Sequence, residues 1–141
     1  MVFIAVDCQP RYFPFGERLD ALVDEIKSAM QAGTPIALLR YVYGGDIYEH
    51  ILDLVRGYDK CIVVDKDTFG GGKQLIAAAR KRGWDLSKVR IGGACTYCCV
   101  SETSEQLLGE LPDTVQEVAS NACYDTYCGG PFPRHENIRW V

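Results

Sequence analysis

Short apolar runs separated by segments of helical period constrain this chain more than any other feature. Val2–Val6, Ile36–Leu39, Cys61–Val64, Val89–Gly93 and Val115–Ala119 are each four or five residues long and rich in Val, Ile, Leu and Ala. Such runs read as strands buried on both faces. Between them, Leu19, Leu22, Val23, Ile26 and Met30 repeat at helical spacing, and Gly33 followed by Pro35 supplies a stop. Ile47, Ile51, Leu54 and Val55 repeat that period, Lys73 to Lys81 carries Leu75, Ile76 and Ala79 on one face, and Val100 to Leu108 reads as a fourth helix. Ile138 to Val141 fits a short edge strand. Strands alternating with helices predict an α/β fold of three layers, helices on both faces of a mostly parallel sheet of five to six strands, with right-handed crossovers.

Size allows one such unit. At 141 residues, 48% of them hydrophobic, the chain buries one core and forms a single domain over 1–141. A net charge of −4, without a Lys/Arg cluster, excludes nucleic acid and anionic membrane as expected partners. No run approaches the roughly 18 apolar residues of a membrane span, and the N-terminus enters a strand pattern directly, so a cytoplasmic protein is expected. The seven cysteines are read as reduced thiols: the number is odd, and Cys8, Cys61 and Cys95 sit at strand ends as small apolar groups.

In parallel sheets, ligands bind at the carboxyl ends of the strands. Three reactive side chains fall there: Asp7 after the first run, Lys66 after the third, and Cys99 where Val89–Tyr97 breaks through glycines into a helix. A thiol at a helix start feels the partial positive charge of unpaired N–H groups, and a nearby ammonium lowers its pKa further. Those N–H groups also suit the oxyanion formed when sulfur attacks a carbonyl. Asp7 then fits as the base that takes the thiol proton and returns it to the leaving amine, and Lys66 as its electrostatic partner. Tyr12, Phe13, Phe69 and Tyr97 adjoin these positions in sequence and are expected to line a substrate pocket or, as readily, to fill the core at the sheet end.

The motifs Val6-Asp7-Cys8-Gln9, Val64-Asp65-Lys66 with Phe69, Gly92-Gly93-Ala94-Cys95-Thr96-Tyr97-Cys98-Cys99-Val100 with Thr103, and Ser120-Asn121-Ala122 resemble the isochorismatase-like cysteine hydrolases, which include nicotinamidases and N-carbamoyl amide hydrolases. The resemblance covers most of the chain. It implies a catalytic triad of Asp7, Lys66 and Cys99, and an oxyanion hole formed around Cys95, Thr96 and Cys99, with a cis peptide between Cys95 and Thr96. With a cysteine nucleophile it implies hydrolysis of a small-molecule amide or carbamoyl substrate through a thioester. Metal-binding nicotinamidases carry Asp-x-His and further histidines after the second strand. This chain has Leu39-Arg-Tyr-Val-Tyr-Gly-Gly45 there and two histidines in all, so neither metal nor other cofactor is expected. The chain is shorter than typical members and lacks a clear last helix. With little surface for a closed pocket, and with the assemblies common among the proteins it resembles, a homo-oligomer is expected.

Other readings of the same residues stay open. Cys95 and Cys98 form a C-x₂-C pair and Cys123 with Cys128 a looser one, which together suit zinc, and the first pair alone a redox role. A non-catalytic protein that keeps the hydrolase fold is a third reading. The Gly70-Gly71-Gly72-Lys73 run lacks phosphate-loop spacing and reads as a flexible turn.

Overall fold

A computed structural model describes residues 1–125 and 129–141 of the chain. Six strands form one sheet: β1 (Val2–Val6), β2 (Ile36–Tyr41), β3 (Cys61–Lys66), β4 (Lys88–Ala94), β5 (Val115–Tyr124) and β6 (Ile138–Trp140). Their spatial order is β3-β2-β1-β4-β5-β6, and every pair is parallel. Helices α1 (Glu17–Gln31), α2 (Glu49–Val55), α3 (Gly72–Lys81) and α4 (Ser101–Glu110) fill the connections. From β1 the chain steps through β2 to β3 in one direction, then returns across the sheet to β4 and β5. With right-handed crossovers this reversal puts α1 and α2 on one face and α3 and α4 on the other. The expected three-layer α/β architecture is therefore present, with six strands and no antiparallel pair.

The core follows from the pattern. All five residues of β1 are buried, as they must be in a strand with neighbours on both edges and helices on both faces. Helix α1 buries Leu19, Leu22, Ile26 and Ala29, a stripe at helical spacing, and ends just before Gly33 in the left-handed region (φ 69°). At Gly93, on β4, a side chain is excluded: an added Cβ would lie 2.1 Å from the Val6 carbonyl oxygen. That close approach keeps β4 tight against the end of β1, where Asp7 begins.

Strand β5 departs from expectation. It continues through Ser120-Asn121-Ala122 to Tyr124, because the register slips: Ile91 pairs with Val118, but Gly93 pairs with Cys123. A bulge absorbs the polar residues that interrupt the apolar run. No helix among the described residues is long and apolar enough to cross a membrane.

Candidate active site

The carboxyl end of the sheet brings the three reactive side chains together. Asp7 is the first residue beyond β1, and its backbone takes a left-handed conformation (φ 51°). Lys66 is the last residue of β3, in register with Tyr41 of β2. Cys99 sits in a short turn, Thr96–Val100, which is kinked at Tyr97 and leads directly into α4. Among the described residues only Asp7 and Cys95, which opens that turn at φ 61°, are non-glycine residues with positive φ. Such conformations cost on the order of 1–3 kcal/mol each and concentrate where geometry serves function.

Asp7, Lys66 and Cys99 are 1%, 2% and 4% exposed. The Lys66 ammonium spends its three protons: Nζ donates to Asp7 Oδ2 at 3.1 Å, to the Phe69 carbonyl at 2.7 Å and to the Thr68 carbonyl at 3.2 Å. Asp7 Oδ1 also lies 3.1 Å from Nζ, so both carboxyl oxygens face the ammonium. The Tyr41 ring stands 5.1 Å from the same ammonium. Burial raises the Asp7 pKa above the ordinary carboxylate value, and Lys66 and the Cys99 thiol partly offset that rise.

The Cys99 thiol is in hydrogen-bonding contact with both Cys95 and Asp7. Its pKa is pushed up by the Cys95 contact first, then by burial and by the Asp7 charge, with Lys66 acting in the opposite sense. The sequence-based expectation of a depressed thiol pKa is thereby reversed. The rise has a geometric source: the Asp7 carboxyl group is hydrogen-bonded to the thiol, and the ammonium that opposes the rise is already paired with that carboxyl.

Two side chains hold the frame around this trio. Gln9, fully buried, donates to the Tyr41 and Gly45 carbonyls (2.9 and 2.8 Å) and accepts from the Tyr41 N–H (3.0 Å), fastening the loop after β1 to the end of β2. Thr103 on α4 donates from Oγ1 to the Cys99 carbonyl at 2.7 Å and accepts the Gly71 N–H at 3.1 Å. The glycine run is therefore no flexible turn: Gly70, Gly71 and Gly72 are buried against Lys66, Leu39 and α4. A Cβ on Gly71 would come within 2.8 Å of Leu39 Cδ1 and 2.9 Å of Lys66 Cδ. Gly71→Ala is expected to cost about 1–3 kcal/mol, the usual range for overpacking; a chemical denaturation midpoint equal to wild type would show that the lysine has room to shift.

No family model matches the sequence, and no curated protein matches it significantly. The fold is another matter. The nicotinamidase of Staphylococcus aureus superposes with a TM-score of 0.75 over 89% of this chain and 84% of its own, at 16% identity. The N-carbamoylsarcosine amidase of Thermoplasma acidophilum gives 0.69 over 90% and 85%, at 15% identity. An isochorismatase family protein of Burkholderia thailandensis gives 0.70 over 89% and 80%, also at 15%. The chain has the isochorismatase-like fold.

Within the isochorismatase-like fold, several expectations need correction. The peptide bond between Cys95 and Thr96 is trans, and no peptide bond among the described residues is cis. The change of direction there is made by the left-handed Cys95, whose carbonyl accepts the N–H groups of both Cys98 and Val100. Phe13 lines no pocket. It is completely buried, its ring 5.8 Å from that of Tyr124 and its carbonyl accepting the Tyr48 hydroxyl at 2.5 Å. Tyr12 stands 6.0 Å from the Tyr41 ring, and Phe69, half exposed, 6.1 Å from it. Tyr97 lies apart, against Phe132. Tyr41, two residues past the predicted end of β2, is a ring beside the ammonium that was not among the expected pocket aromatics.

The remaining cysteines are set by burial. It raises Cys8 to about 12 and Cys61 and Cys123 to about 11. Among the described residues no group of three or more His, Cys, Asp or Glu side chains is placed to hold a metal ion. Cys128, which the zinc reading requires, lies outside the described residues.

Proposed function

We propose that this protein is a cysteine hydrolase that cleaves a small amide or carbamoyl compound through a thioester on Cys99. The observation that carries the reading is the buried cluster at the carboxyl end of the sheet: a thiol against a carboxyl group, which is itself held by a fully bonded ammonium. Nicotinamidases and an N-carbamoylsarcosine amidase among the fold neighbours support the choice of amide chemistry.

The reaction divides into two displacements. Asp7 takes the thiol proton as Cys99 Sγ attacks the carbonyl carbon, and the carbonyl π electrons move to oxygen. The Cys98 and Val100 N–H groups already serve the Cys95 carbonyl, so we assign the oxyanion to the backbone N–H groups of Thr96 and Cys99 in the same turn. One such donor is typically worth about 10²–10³ in rate. As the oxyanion collapses, the C–N bond breaks and Asp7 protonates the leaving nitrogen. Water then attacks the thioester and gives its proton to Asp7, the C–S bond breaks, and that proton returns to sulfur. Throughout, the fixed charge of Lys66 balances the negative charge that alternates between Asp7 and the sulfur. Tyr12, Tyr41 and Phe69 form one aromatic wall suited to a small uncharged substrate, with Tyr97 on a separate side.

The test is a panel of primary amides and N-carbamoyl compounds assayed for ammonia release, with rapid acid quench and peptide mass spectrometry of the enzyme. An acyl adduct on the Cys99 peptide that Cys99→Ala lacks, together with loss of turnover in that variant, is expected. Turnover that survives in Cys99→Ala would overturn the mechanism.

A further inference from the structure

We infer that Thr103 is a positioning residue whose hydroxyl couples the nucleophile turn to the loop that holds Lys66. The inference rests on the cysteine-hydrolase reading of the same site and adds to it a residue outside the trio.

The argument starts from what one hydroxyl can do. Thr103 Oγ1 has one proton and two lone pairs, and it uses both functions at once: the proton goes to the Cys99 carbonyl at 2.7 Å and a lone pair accepts the Gly71 N–H at 3.1 Å. A bond from threonine to the carbonyl four residues earlier is a local matter within a helix. The second bond is not, since Gly71 is 32 residues away in the loop between β3 and α3. That loop is also where Thr68 and Phe69 offer their carbonyls to Lys66 Nζ. Gln106, one turn further along α4, accepts the Gly72 N–H at 2.8 Å and seats the loop a second time.

The contacts therefore close on themselves. From the Cys99 thiol they pass to Asp7, from Asp7 to Lys66, from Lys66 to the carbonyls of Thr68 and Phe69, along the loop to the Gly71 N–H, and through Thr103 back to the Cys99 carbonyl. Thr103 is fully buried, so no water substitutes for it from bulk solvent. Remove the hydroxyl and the side chain still fills its space, but the loop is no longer fastened to the turn. The ammonium then loses its fixed distance from the carboxylate and, through it, from the sulfur.

The test needs no substrate. Alkylation of Cys99 by iodoacetamide is followed by peptide mass spectrometry as a function of pH in the wild-type protein, Thr103→Val, Thr103→Ser and Asp7→Asn. Valine keeps the shape and removes both hydrogen-bonding functions; serine restores them. With the ammonium slackened, Thr103→Val is expected to displace the Cys99 profile to higher pH by about one unit, a tenfold slower reaction at a given pH, and Thr103→Ser to bring it back. A valine profile that coincides with wild type while Asp7→Asn shifts it would overturn the coupling and leave the hydrolase reading standing. A profile that neither variant moves would overturn both. Failure of serine to rescue would overturn the role of the hydroxyl. Should Thr103→Val not fold, amide exchange at Gly71 decides: slow exchange in wild type and Thr103→Ser supports the bond, and exchange as fast as in an open loop overturns it.

Discussion

Asp7→Asn should cut turnover severely and at the same time make Cys99 more reactive toward iodoacetamide. The two effects run in opposite directions for one physical reason. In the wild-type protein the Asp7 charge helps hold the thiol neutral, and Lys66 works against it. An amide removes the first influence and leaves the second, so the sulfur is left beside a buried ammonium that has lost its charged partner. A fall of one pKa unit multiplies the thiolate fraction about tenfold, and at least that gain in alkylation rate at neutral pH is expected. Turnover falls by about 10²–10⁴, the usual worth of a positioned acid–base group. Cys8, Cys61 and Cys123 are the internal control, because unfolding would expose them too. Selective gain at Cys99 supports the arrangement. Cys99 reactivity that falls, or gains shared by all the thiols, would contradict it.

Lys66→Met removes the opposite charge and carries a cost in stability. Deleting one partner of a buried ion pair leaves the other uncompensated, at about 3–5 kcal/mol. Asp7 is already raised by burial, and without Lys66 its main counterweight is gone. Its folded pKa then lies further above the unfolded value near 3.9. The sign follows: the folded state binds the proton more tightly, so stability is highest in acid, below the unfolded value, and falls as pH rises through the folded one. Urea midpoints between pH 3 and 8 should therefore show Lys66→Met losing stability toward neutral pH more steeply than wild type. Turnover is expected to fall as well, because the fixed charge that balances Asp7 and the sulfur during the reaction is gone. Lys66→Met combined with Asp7→Asn removes both charges of this buried pair and should recover much of the loss. A double variant no more stable than Lys66→Met would mean that the lysine matters for its packing.

How far the sequence foretells this arrangement differs from residue to residue. The apolar runs locate β1 to β4 to within a residue or two, although burial on both faces holds for the central β1 and not for edge strand β3, which leaves Val63 48% exposed. The same runs place Asp7, Lys66 and Cys99 at one end of a parallel sheet. Elsewhere the deciding contact is distant. The run Tyr12-Phe13-Pro14-Phe15 does not say which ring turns inward; Phe13 is buried and Phe15 is 78% exposed. Polar Ser120 and Asn121 look like the end of a strand, and only pairing with β4 shows that they belong to a bulge. The sign of the Cys99 shift depends on how close Asp7 and Cys95 come to its sulfur, which no spacing reveals. Thr103 stands four residues after Cys99, a legible helical relation, while its bond to Gly71 belongs to tertiary structure alone.

Strand β3 is the outermost strand on its side of the sheet, yet it carries Lys66. An edge strand has a ladder on one side only, and local opening begins where the fewest bonds must break. Here the site does not share the durability of the central strand that supplies Asp7. Fraying at this margin withdraws the ammonium while β1 and β4 remain paired, so warming should inactivate the protein before it melts. In a heated sample, loss of activity would report the first cooperative unit to give way, and the global transition would follow as a separate event.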